Sequence, residues 1–135
     1  MTFYASFDEK VQADVGGGEV RFRTRVDDQK RKGQFVFREG FPESVFQIDK
    51  QNGVSGGSLS CTDVIPHRGR IFFPAKQNLA YQSNGWGGAV SLWVNINPDQ
   101  QLKTPYCDPI QITHKGAHDG GIWIDFPNEN PRGLR

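Results

Sequence analysis

The chain has 135 residues, the length of one domain, and carries 16 Lys and Arg against 15 Asp and Glu, a formal charge of +1. That balance calls for no polyanionic partner, so neither nucleic acid nor a charged membrane surface is expected. Apolar residues make up only 36%, yet aromatic residues reach 12% with ten Phe, and 16 Gly punctuate them, which suits an aromatic core cut by turns and argues against disorder in the middle and end of the chain.

In chain order, Phe3 to Phe7 reads as a short strand, and Gly16-Gly17-Gly18 as a turn no helix would tolerate. From Glu19 to Val26, the residues Val20, Phe22, Thr24 and Val26 alternate with Arg21, Arg23 and Arg25, a half-buried strand with one basic face. A charged loop from Asp27 to Lys32 leads to two short alternating runs, Gln34 to Arg38 and Val45 to Ile48, separated by Gly40 and Pro42. Asn52-Gly53 and Gly56-Gly57 are further turns, and Ser58 to Thr62 and Ile71 to Phe73 continue the strand series. The clearest core strand is Ala89 to Ile96, with Val90, Leu92, Val94 and Ile96 on one face and Trp93 inward by strand position. Ile110 to Thr113 and Ile122 to Phe126 complete the series; Trp123 and Asp125 share a face of the second. No window repeats apolar residues at helical spacing. The expectation is one all-β domain over residues 1–135, an antiparallel sandwich or barrel.

The chemistry-bearing patterns are sparse. The five Glu (Glu9, Glu19, Glu39, Glu43 and Glu129) include no pair on one strand face, and Pro127 breaks the strand between Asp125 and Glu129. No phosphate loop, nucleophile elbow or Cys/His arrangement is present, so no enzyme activity is expected. Cys61 and Cys107 lack Cys-x-x-Cys spacing and read as unbridged thiols. His114 and His118 are four apart, but Gly116 and Gly120-Gly121 make the segment a hairpin loop, so it reads as a polar loop that contacts a ligand rather than a zinc site. A sugar needs an exposed ring against its apolar face and amide or carboxylate groups at its hydroxyls. Trp86 and Tyr81, beside Asn78, Gln82, Ser83 and Asn84 in a Gly-rich stretch, suit that task; Trp123 with Asp125 is a further candidate. The face of Arg21, Arg23 and Arg25 reads as a solvated sheet surface, with an anionic polysaccharide as the functional alternative.

Several phrases together resemble a family. Phe3-Tyr4-Ala5-Ser6-Phe7-Asp8 followed by Ala13-Asp14 resembles the first strand of bacterial laminin-G-like domains of the concanavalin A-like lectin/glucanase superfamily. Gly69-Arg70-Ile71-Phe72-Phe73-Pro74, then Gly85-Trp86-Gly87-Gly88-Ala89-Val90-Ser91-Leu92-Trp93-Val94-Asn95, are similar to its strand before, and its strand centred on, an inward Trp. Ile110-Gln111-Ile112-Thr113-His114-Lys115-Gly116 with Gly120-Gly121-Ile122-Trp123-Ile124-Asp125-Phe126 resembles the hairpin that follows. The resemblance implies a jelly-roll sandwich, incomplete at the carboxyl end because the family's later strands have no counterpart before Arg135. It also implies a carbohydrate-binding or adhesive module, extracellular or at the cell envelope, with a structural calcium at Asp8 and Asp14 and without the glucanase Glu-x-Asp-x-x-Glu pattern. The alternative role is a protein-interaction or spacer domain of a larger surface protein, pairing as a homo-oligomer or with a partner chain through an open sheet edge. Met1 to Asp8 lacks the features of a signal peptide, and no stretch approaches the ~20 apolar residues of a membrane span, so no membrane insertion is expected.

Overall fold

Short alternating runs separated by turn residues become short antiparallel strands. The computed structural model describes residues 1–114 and 119–135. Among them the chain is all-β, with nine strands and a helix of one turn: β1 (Phe3–Tyr4), β2 (Val15–Gly16), β3 (Arg23–Asp27), β4 (Phe35–Glu39), β5 (Phe46–Asp49), β6 (Ser58–Cys61), β7 (Arg70–Phe72), α1 (Pro98–Gln101), β8 (Cys107–Thr113) and β9 (Gly120–Phe126). They form small antiparallel sheets: β1 with β2, β4-β3-β7, β5 with β6, and β8 with β9. The chain divides into two compact units, Met1–Ala89 and Val90–Arg135.

Met1–Ala89 is organised around phenylalanine rings. Phe22, only 4% exposed, lies edge-on to Phe73, Phe41 and Phe7 at centroid distances of 4.7, 5.7 and 6.0 Å. Phe3 packs on Phe73 at 4.9 Å and Phe46 on Phe41 at 5.8 Å, so the network runs from the first strand to the fifth. Such edge-to-face pairs favour one geometry over a greasy collapse, because the positive ring edge meets the negative face. Thr24, on the same side of β3, is buried with its hydroxyl donating to the Gly40 carbonyl at 2.6 Å.

Asn78 is the polar keystone of this unit. At 2% exposure, its amide nitrogen donates to the carbonyls of Glu19 (2.9 Å) and Pro74 (2.8 Å), and its Oδ1 accepts from Gly18 N–H at 3.0 Å. The glycine turn is thereby drawn so close to the 74–78 loop that a Cβ on Gly17 would stand 2.7 Å from the Gln77 carbonyl oxygen, and one on Gly18 would collide with the Lys76 carbonyl.

Val90–Arg135 centres on the β8–β9 hairpin, where Ile110 faces Ile124 and Ile112 faces Ile122, and Phe126 is 5% exposed. The helix begins with Pro98, whose fixed φ suits a first turn. Asp99 accepts from Arg132 N–H at 3.0 Å, and the Arg132 guanidinium donates to the Thr104 carbonyl at 2.8 Å.

One predicted element is absent. Ala89 to Ile96, expected as the clearest core strand, has no strand partner and makes no backbone hydrogen bond among the described residues. Trp93, expected inside, is 81% exposed, and Val90 and Val94 are 39% and 41% exposed. Alternation identifies two faces of an extended segment, but a strand also needs a neighbour for its N–H and C=O groups. The single helical turn went unforeseen because four residues are too few to show a period.

Candidate functional site

The loop between β7 and the end of the first unit brings two of the expected residues together. Ser83 to Gly85 form a turn that Gly85 closes at φ 71°, a conformation costly for a residue with a Cβ. The reversal places the Tyr81 and Trp86 rings 5.9 Å apart at an interplanar angle of 54°. Tyr81 is 71% and Trp86 39% exposed. Trp86 is held in place: its Nε1 donates to the Leu79 carbonyl at 3.3 Å, and its ring edge lies over Gly88. Its ring therefore offers contact area without a free donor, while the Tyr81 hydroxyl makes no hydrogen bond to the protein among the described residues. Gln82, Ser83 and Asn84 are exposed around the turn. Ala80, at φ 46°, bends the backbone just before Tyr81. Asn78, grouped with these residues in the sequence, is instead buried in the latch described above.

The other expected ligand residues lie in the second unit. His114 is exposed at the end of β8. His118 lies outside the described residues, as does most of the loop proposed around it. Thr113 Oγ1 donates to an Asp119 carboxylate oxygen across the hairpin. Trp123 is 50% exposed, its indole folded against Gly120. Asp125 is occupied: Arg135 Nε donates to its Oδ1 at 3.0 Å, and both backbone bonds of an antiparallel pair link the two residues at 3.0 Å. The partnership raises the Arg135 pKa above its ordinary value, chiefly through the hydrogen bond to the Asp125 carboxylate.

Asp8 and Asp14 line one open groove of about 430 Å³ with Ser6, Glu9 and Lys10. Asp8 Oδ1 accepts from Gly57 N–H at 2.8 Å, tying the segment after β1 to the Gly56-Gly57 turn. Asp14 Oδ2 accepts from Ser6 N–H at 2.7 Å and its Oδ1 lies 3.3 Å from Lys10 Nζ; the Ser6 backbone bond is the main reason its pKa is lowered. Of the four carboxylate oxygens in this pair, Asp8 Oδ2 alone makes no hydrogen bond or ion pair among the described residues, so a calcium ion, which takes six to eight oxygen ligands, would draw most of its shell from elsewhere. Among the described residues no cluster of three His, Cys, Asp or Glu side chains is placed to hold a metal ion.

Cys61 is an exposed, unbridged thiol whose Sγ donates to the Asp63 carbonyl at 3.2 Å; partial burial pushes its pKa up, away from the reactive thiolate. Among the described residues no helix is long and apolar enough to cross a membrane. Comparison with family models, curated proteins and solved structures finds no match to this chain.

Sequence reasoning missed the partners of the arginine face. Arg21 and Arg23 both reach Glu19 Oε2, at 2.7 and 3.1 Å, and Arg21 also reaches Glu39 at 3.3 Å. Glu19 is held down to a pKa of about 2, chiefly by the Arg21 side-chain hydrogen bond. The Glu-x-Arg-x-Arg spacing was the available signal, since it places one carboxylate beside two guanidiniums on an extended segment. Arg25 makes no ion pair among the described residues, though the Asp27 charge acts on it; its guanidinium stacks over the Phe35 ring, 4.2 Å from the centroid.

Proposed function

We propose that this chain is a non-catalytic carbohydrate-binding or adhesive module that holds a glycan through loop aromatics. The observation that carries the reading is the Tyr81–Trp86 pair: two tilted, solvent-facing rings 5.9 Å apart, with Trp86 anchored through Nε1 to the Leu79 carbonyl and exposed amides and a hydroxyl beside them. A pyranose lies with its C–H face on the Trp86 ring, while Tyr81, Gln82 and Asn84 meet its hydroxyls. Rings fixed in advance lose little rotamer freedom on binding, which favours a shallow but usable site. In the second unit, Trp123 and His114, both exposed, are candidate sugar contacts of their own.

The laminin-G-like jelly roll, an extracellular or cell-envelope setting and a structural calcium at Asp8 and Asp14 belong to this proposal and rest on the resemblance of the quoted phrases. Added calcium is expected to raise the melting temperature, and an unchanged melt removes the metal from the reading. Retention on a panel of immobilised polysaccharides tests the site: Trp86→Ala is expected to lose retention while keeping the native circular dichroism spectrum. Equal retention by the variant and the parent chain overturns it.

A second reading rests on the unpaired Val90–Ile96 segment. It carries no charge, and its alternation matches itself in an antiparallel register centred on Trp93, which sets Val90 opposite Ile96 and Leu92 opposite Val94. We infer that this edge pairs with a second copy. Sedimentation checks it, with a concentration-dependent dimer expected; a monomer at all concentrations excludes it.

A further inference from the structure

The outward face of the β4-β3-β7 sheet carries a pattern that the glycan reading does not use. Side chains on a strand alternate, so the pairing places Arg23, Arg25 and Asp27 of β3 on one face with Phe35, Phe37 and Glu39 of β4 and Arg70 and Phe72 of β7. Thr24, on the opposite face of β3, is buried. The face with the arginines is open: Phe35 is 46% and Phe37 57% exposed, and Phe37 meets Phe72 edge-on at 6.2 Å. An exposed aromatic group on a sheet face is more informative than an exposed aliphatic residue standing alone.

The charges on this face are unbalanced in one place. Arg25 stands directly opposite Phe37 on one side and directly opposite Arg70 on the other. Like charges directly opposite each other across strands destabilise a sheet. Arg21 and Arg23 share Glu19, and Arg21 also reaches Glu39, whereas neither Arg25 nor Arg70 has a carboxylate within ion-pair distance among the described residues. The Nε of Arg23, buried under the same face, has no hydrogen-bond partner among the described residues. Burial first, and the Arg70 charge second, lower the Arg25 pKa, while Asp27, two residues on along the same face, acts in the opposite sense. The basic character continues at one end of the sheet. Lys30 and Lys32 are exposed in the β3–β4 loop, and the turn bearing exposed His67 and Arg68 is tied to the end of β3 by Asp27 N–H donating to the His67 carbonyl at 3.0 Å. The overall charge of +1 stays near balance because acidic residues, Asp27 and Glu39 on this face among them, offset the basic ones.

A ligand that fits must bring negative charge to the Arg25–Arg70 pair and a flat face to Phe37 at neighbouring positions. Single-stranded nucleic acid has both, as phosphates and unstacked bases, and sheet faces with exposed rings among basic side chains suit it. A duplex suits this face less, because its bases are already stacked and no helix longer than four residues is described to enter a groove. We propose that the outward face of β4-β3-β7 binds single-stranded nucleic acid, with Arg25 and Arg70 gripping the phosphate backbone and Phe37 stacking on a base. Recognition of this kind is sequence-tolerant and salt-dependent, since the grip is electrostatic and every base has a π face.

Fluorescence anisotropy of labelled oligo-dT and oligo-rU titrated with the full chain tests this, the two probes separating DNA from RNA. Binding is expected at 50 mM salt and should weaken about sevenfold by 200 mM for two contacted phosphates. Phe37→Ala should weaken it by about tenfold, the worth of one stacked base, and Arg25→Glu with Arg70→Glu should abolish it. Arg38→Glu makes the same charge change at a β4 position on the opposite face of the sheet and should leave more affinity than either Arg25→Glu or Arg70→Glu alone. Circular dichroism verifies that each variant folds; Phe37 and Arg38 are exposed, so their substitutions remove no core contact. No binding of either probe at 50 mM salt overturns the proposal. So does an equal loss in Arg38→Glu, which would show diffuse charge attraction, or unchanged affinity in Phe37→Ala. Retention of the chain by a sulfated polysaccharide but by neither oligonucleotide would assign the face to anionic glycans instead.

Discussion

Val20 to Val26 and Val90 to Ile96 carry the same period-two alternation, yet they come to different ends. In the first, Phe22 and Thr24 are buried, and β3 is paired on both sides by β4 and β7. In the second, Trp93 is 81% exposed and no backbone group is paired among the described residues. The second stretch is no poorer in strand formers, since Val90, Trp93, Val94 and Ile96 are β-branched or aromatic, as are Val20, Phe22, Thr24 and Val26 of the first. What separates them is a neighbour. The first stretch has Phe35–Glu39 within hairpin reach, and Phe73, next to Arg70–Phe72, packs on Phe22 at 4.7 Å. Intrinsic preference sets what a segment can do, and packing decides whether it does it.

The largest test of this contrast is Phe22→Ala. Removing a 4% exposed ring at the centre of the network should cost about 3–5 kcal/mol, read as a lowered urea midpoint. A cost below about 1 kcal/mol would mean that the rings do not hold β3. Val94→Lys probes the other stretch: at 41% exposure without a strand partner, it should change stability by less than about 0.5 kcal/mol in a thermal melt at low protein concentration. At high concentration the same variant should lose any dimer seen by sedimentation. A large loss at low concentration would show that Val90–Ile96 packs as a core strand after all, and the contrast would collapse.

The smallest effect belongs to the charges beside β3. Glu19 is depressed from its ordinary 4.5 to about 2 in the folded chain, so the stabilisation it supplies is fully present above about pH 4.5 and is lost as pH falls through about 2. Asp14, also lowered, acts in the same direction. Glu19→Gln should therefore flatten the acid limb of a stability-versus-pH curve, with its loss greatest above about pH 4.5 and vanishing as pH falls through about 2, and small throughout because the ion pairs are exposed. A difference between variant and parent melts that is the same at pH 7 as at about pH 2.5 would show that the arginines do not sense this carboxylate.

Much of the strand series was legible, because alternation and turn residues are local properties. Phe35–Glu39, Phe46–Asp49, Ser58–Cys61 and Arg70–Phe72 lie within a residue or two of their expected positions, and β8 and β9 extend theirs. The loop aromatics were legible too, since Tyr81 and Trp86 sit outside any alternating run in a Gly-rich stretch, the setting in which rings stay exposed. The occupation of Asp125 by Arg135 was not, because it joins residues ten apart across a turn. Nor was the burial of Asn78, whose partners Gly18 and Glu19 lie some sixty residues away.

Composition and alternation by themselves determined that this chain builds short strands around aromatic residues, and they marked which side chains share a face, because pleating alternates whatever the partner. Tertiary structure decided which alternating runs became strands, and which phenylalanines joined Arg25 and Arg70 on an open face. Those outcomes depend on register and on burying a common surface, which residues far apart in the chain settle only when they meet.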